Sequence, residues 1–158
     1  MTNNFAHIAC CIDHSDASTR ALEQAVRLQA GGGRLSLLHV APWPMVIAGH
    51  GAAWVPDPAV ILAGAQEWLD GVVAAHPGTE GVLLEGYPPA AACDWAADAG
   101  VDLLVASSSR GLFDRVLLGS FAGYLARHAP CAVLLTRPEG AGQATAGARD
   151  DAERGSVE

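Results

Sequence analysis

The sequence holds none of the short signatures that bring strong chemistry to a chain. H-E-x-x-H, G-x-x-x-x-G-K-[ST] and G-x-G-x-x-G are all missing, which removes the helix-borne zinc pair, the P-loop phosphate cradle and the dinucleotide turn. Its four cysteines, Cys10, Cys11, Cys93 and Cys131, form no C-x-x-C, and the adjacent Cys10 and Cys11 point to opposite faces of a strand. They read as small buried apolar residues of a reducing compartment, and no metal of the protein's own is expected. No apolar run reaches the ~18 residues that span a bilayer. The N-terminus, MTNNFAHIACC, lacks the basic and long apolar regions of a secretory signal, so the chain reads as cytoplasmic. Charge is also scarce, at 16% of residues. Nine basic against seventeen acidic residues leave −8, which argues against nucleic acid or anionic membrane as a partner.

What is present is apolar residues in an orderly alternation. The chain of 158 residues is one domain's worth, and 51% of it is hydrophobic. His7 to Asp13 reads as a buried strand ending on a carboxylate. From Ser18 the pattern turns helical, with Ala21, Ala25 and Leu28 on one stripe and Leu22 and Val26 beside it. Gly31-Gly32-Gly33 stops that helix, and Arg34 to Val40 is a second strand. Residues 41–58, rich in Trp, Pro and Gly, make an irregular segment of the length that is usually functional or mobile. Asp57-Pro58 opens a second helix running to about Ala75, with Ile61, Ala65, Trp68 and Val72 along one face. Gly81 to Gly86 is a third strand. Pro88-Pro89 start a third helix, striped by Ala92, Trp95, Ala96 and Ala99, and Gly100 ends it. Leu103 to Ala106, Gly119 to Arg127 and Cys131 to Thr136 complete the pattern as strand, helix and strand. Strands alternating with helices predict parallel pairing and a three-layer α/β sandwich over residues 5–138. Residues 139–158 lack apolar periodicity and read as a disordered acidic tail.

The stretch Leu103 to Ser120, LLVASSSRGLFDRVLLGS, carries the functional signal. A buried strand, a small-residue loop and a helix with Ser120 at its N-cap make an anion seat. Backbone N–H groups and the helix dipole converge there. With the HAPCAVLLTR that follows, this stretch resembles the C-terminal half of the universal stress protein family, and the likeness extends over roughly residues 5 to 138. The family's nucleotide pattern is G-x2-G-x9-G-[ST]. Gly119-Ser120 keeps its end, while Ala106 and Ser109 stand at the two leading glycines. The resemblance implies a five-stranded parallel sheet of order 3-2-1-4-5, with a ligand at the switch between the first and fourth strands. It further implies an adenine nucleotide such as ATP. Asp13 and the backbone of Val40 would face adenosine, Ser107, Ser109, Arg110, Gly119 and Ser120 would face the phosphates, and Ile12, Ala106 and Phe121 would belong to the same nucleotide site.

The residues leave alternatives open. Asp13 serves equally as a cap for its own loop. His14 reads as an exposed loop histidine and His39 as packed at a strand end. Side chains at 106 and 109 obstruct close backbone approach, and left-handed angles there cost roughly 1–2 kcal/mol each. Ser107, Ser108, Ser109 and Arg110 supply compensating donors. A hydrolase would need small residues flanking its serine, and A-S-S-S-R lacks them. A non-catalytic nucleotide binder and an interaction module with an empty pocket therefore both stand. Finally, CAVLLT at 131–136 would be an exposed apolar edge strand. A two-fold partner would cover it, so a homodimer through this strand is expected, as the resemblance also implies.

Overall fold

The computed structural model describes residues 5–41, 57–108 and 119–137. The irregular 41–58 segment from residue 42 to 56, the loop residues Ser109 and Arg110, and the acidic tail lie outside the described residues. Five strands and four helices alternate: β1 (His7–Cys11), α1 (Asp16–Gln29), β2 (Arg34–Ala41), α2 (Pro58–Ala75), β3 (Thr79–Glu85), α3 (Pro88–Asp98), β4 (Leu103–Ser107), α4 (Ser120–His128) and β5 (Ala132–Thr136). All ladders are parallel and the order is β3-β2-β1-β4-β5, as expected. Ile8 stands between Leu35 of β2 and Leu103 of β4, so β1 is the central strand.

The two faces of the sheet carry separate cores. On one, Ile8, Cys10, Leu35, Leu37 and Val105 pack under Leu22 and Ala25 of α1 and Leu69 of α2. On the other, Ala9, Leu38, Leu104 and Ala106 pack under Ala92 and Ala96 of α3 and Leu125 of α4. Cys10 and Cys11 divide between these faces as period-two alternation requires. All four thiols are free, but Cys11 and Cys131 are only partly buried rather than fully inside.

Local chemistry explains most boundaries. Ser15 caps α1 by accepting from the Ser18 N–H, so this helix starts two residues before the expected Ser18. Asp57 caps α2 by accepting from the Ala59 N–H at 2.9 Å, with Pro58 in the first turn. Gly100, at φ +65°, ends the α3 segment. Four expectations are corrected. β1 stops at Cys11, although Ile12 still donates to the Leu38 carbonyl at 2.8 Å. Val26 lies outside the buried stripe of α1, and the deepest residue of α2 is Leu69, one position from the expected face. The α4 cap is Gly119, with Ser120 as the first helical residue and no side-chain capping bond.

Candidate functional site

Between the carboxyl ends of β1 and β4 the sheet reverses its winding, and a cleft of about 330 Å³ opens there. Ile12 and Asp13 enter it from the end of β1, and Val40 from the end of β2. Ala106 and Ser107 come from β4, and Phe121 from the first turn of α4. Six of the ten residues named from sequence thus line one cavity. Gly119 and Ser120 stand at the start of α4 just beside it and are not among its walls; Ser109 and Arg110 lie outside the described residues.

Asp13 is held by its own loop. Its Oδ1 accepts from the Ser15 N–H at 2.9 Å and from the Ser15 hydroxyl. The Ser18 hydroxyl donates to the Asp13 carbonyl at 2.6 Å. Partial burial disfavours the charged form, but hydrogen bonds from Ser15 and Ser18 and the proximity of His14 outweigh it. The carboxyl is therefore held below its usual range and is ionised at neutral pH. The loop-capping role and a place on the cleft wall coexist in this one residue.

Beside Asp13 stands a small aromatic cluster. The ring of His39, buried in β2, donates from Nδ1 to the Ile12 carbonyl at 3.0 Å, since a carbonyl only accepts. Trp68 of α2 meets His39 at a centroid distance of 4.7 Å and His14 at 4.1 Å. His14 is exposed as expected, yet it is stacked rather than loose.

On the β4 side, Ala106 is no loop residue. It is 1% exposed and pairs with Leu135 within the β4–β5 ladder. Ser108 turns away from the cleft: its N–H and its hydroxyl donate to the Thr136 carbonyl at 2.9 and 3.0 Å. A hydroxyl expected to face a ligand thus closes the end of the sheet instead.

Sequence reasoning missed Cys11, Ser18, Leu38, His39 and Pro88 as cleft residues. Alternation along β1 and β2 would have pointed to Cys11 and Leu38, because both face the α3–α4 layer. Burial pushes the Cys11 thiol up to about 12, with Cys93 and Cys131 nearby adding to the effect, so it contributes bulk rather than a nucleophile. Among the described residues, no group of three or more His, Cys, Asp or Glu is disposed to hold a metal ion, and no helix is long and apolar enough to cross a membrane.

Comparison with solved structures places this geometry among known folds. Universal stress protein UspA from Lactobacillus plantarum aligns over 85% of this chain and 99% of its own, with 23% identity and a TM-score of 0.65. A universal stress protein in complex with cAMP covers 84% of this chain and 97% of its own, at 23% identity and a TM-score of 0.58. An Arabidopsis thaliana family protein with AMP bound matches over 85% and 93%, at 18% identity and 0.59. Comparison with curated proteins returns no match. The sequence profile of the Universal stress protein family matches residues 4–137, and the chain belongs to that family.

Proposed function

We propose that the protein acts by binding rather than turnover, taking an adenine nucleotide weakly at the β1–β4 cleft. The observation that carries this reading is the juxtaposition of an ionised Asp13, the end of β2 at Val40 and the start of α4 around one cavity at the switch point. Its volume of about 330 Å³ lies at the low end of small-molecule pockets, about 300–1,000 Å³. That suits a nucleoside-sized body with its phosphates outside, toward the N-terminus of α4. Asp13 would accept from ribose hydroxyls, and the Val40 backbone would meet the base. The N–H groups that open α4 would meet the phosphates, since no side chain caps them. Ser107, Ser109 and Arg110 belong to the same phosphate side in this reading. AMP and cAMP in relatives of the same fold support the choice of base.

A second reading is favoured by Ala106 and Ser108. One lies inside the β4 ladder and the other is spent on Thr136, so two positions of a phosphate-binding loop are committed to the sheet. In that reading the fold is a cytoplasmic interaction module with no nucleotide, again pairing through β5. Titration of the full chain with AMP, ADP and ATP, followed by amide shifts of Asp13, Val40 and Ala106, separates the two. Saturation between micromolar and about 10 mM supports binding. No shift up to that limit overturns it in favour of the interaction module.

A further inference from the structure

Across Asp13 from the cleft, a second and larger cavity of about 500 Å³ separates α1 from α2. Its floor is apolar, made by Ile12, Leu22 and Val72. On the α2 side, Gly71 and Ala75 leave the gap unfilled, and a Cβ built on Gly71 would meet nothing within 4 Å. Trp68, braced by the rings of His14 and His39, stands at one end.

The polar lining comprises two carboxylates, the rings of His14 and His76, and the hydroxyls of Ser18 and Thr19. Asp13 and Glu67 contribute the carboxylates, and no arginine is among the described lining residues. The ring of His76 donates from Nδ1 to the Val72 carbonyl at 2.8 Å, which leaves Nε2 of the neutral ring an acceptor. An anion entering here would face two carboxylates and no guanidinium among the described lining residues. A positively charged donor would meet Asp13 of the β1–α1 loop and Glu67 of α2 above an apolar floor and beside an indole.

We propose that the α1–α2 cavity is a second binding site, for a small organic cation with a flat or extended apolar body, an aryl- or alkylammonium. The ammonium hydrogen-bonds to Glu67 within the field of Asp13, while the body abuts Trp68 and runs over Leu22 and Val72 toward His76. The assignment does not rest on the nucleotide reading, because the two cavities share only Ile12, Asp13 and Ser18.

The test uses 2-phenylethylammonium as the probe on the full chain, with phenylacetate as the control of opposite charge. Saturable amide shifts at Gly71, Ala75 and His76 are expected for the cation, with phenylacetate weaker by about fivefold or more. Glu67→Gln should weaken the cation roughly fivefold. Gly71→Leu should fold, since leucine favours a helix more than glycine and the space is open, and should abolish binding. Equal response to both probes, undiminished binding by Gly71→Leu, or shifts confined to Val40 and Ala106 would each overturn the assignment. AMP titration of the same samples reads the nucleotide cleft separately, so failure of one site is not failure of the other.

Discussion

Replacing Gly119 by aspartate should separate the stability of this protein from its ligand binding. Gly119 caps α4 at φ −50° and ψ 157°, angles open to any L-residue, so the substitution meets no backbone penalty. The new carboxylate would accept from an amide of the first turn and sit at the positive end of the helix dipole. Against glycine, the cap is worth a few tenths of a kcal/mol and the charge about 0.3–1 kcal/mol. A gain near 1 kcal/mol should raise Tm by about 2–5 °C for a domain of this size. The same carboxylate lies where the phosphates of the proposed nucleotide approach. Two like charges about 4 Å apart at an effective dielectric of 20 repel by about 4 kcal/mol, close to a thousandfold in affinity. Scanning calorimetry without ligand and an AMP titration of the same sample test both halves. Adenosine, which carries no phosphate, should bind the variant and the parent alike. Undiminished AMP affinity in Gly119→Asp would place the phosphates elsewhere, and a fall in Tm would refute the capping argument.

Leu69→Ala should cost about 3–4 kcal/mol in urea unfolding, because the side chain is fully buried beneath α2. Gly81→Ala alone should cost about 1 kcal/mol, since its Cβ would lie 3.0 Å from Leu69 Cγ and Val73 Cγ2; in the Leu69→Ala background its added cost should fall, because only the Val73 contact remains. Additivity of the pair within about 0.5 kcal/mol would contradict that packing. Glu80 is held below its usual carboxylate range, first by the Ser36 hydroxyl against the opposing effect of burial, then by Arg34. A depressed carboxylate adds stability that is present above the unfolded pKa and lost as pH falls through the folded one. Glu80→Gln should therefore flatten the acid limb below the ordinary value of 4.5, by under about 1 kcal/mol because the group is half exposed; an unchanged limb would refute it. The proposed pairing through β5 should be abolished in sedimentation by Leu134→Lys with little loss of stability, since Leu134 is the exposed large hydrophobic residue of that strand. A dimer that survives Leu134→Lys would refute the β5 contact.

Leu134 also marks where the sequence stops being informative. Alternation alone labels residues 131–136 as uniformly apolar, and Val133 and Leu135 look as available for pairing as their neighbours. In the fold those two pack into the α3–α4 core, and lysine at either would damage the domain rather than its surface. Strand and helix existence was legible because burial on both faces leaves long apolar runs, as in Leu103 to Val105. The strand order was not in the periodicity; it came with the family likeness. Counted back from Gly119, the pattern sets its two leading glycine positions at Ala106 and Ser109, and Ser109 lies outside the described residues. Ala106 satisfies that count but lies in β4, and strand pairing runs on through Ser107 to Thr136. The contacts of His14 and His39 with Trp68 join residues more than 25 positions apart, and no local period encodes such a meeting.

The end of β1 is fastened from both sides. The Ile12 N–H donates to Leu38, its carbonyl accepts from His39, and the Asp13 N–H donates to the Ser18 hydroxyl at 3.1 Å. Ordering a free residue costs roughly 1–2 kcal/mol, and at Ile12 and Asp13 that ordering is complete before any ligand arrives. These two amides should therefore exchange with deuterium slowly in the empty protein and no faster or slower once the cleft is filled. This wall then behaves as a template, and whatever occupies the cleft must conform to it.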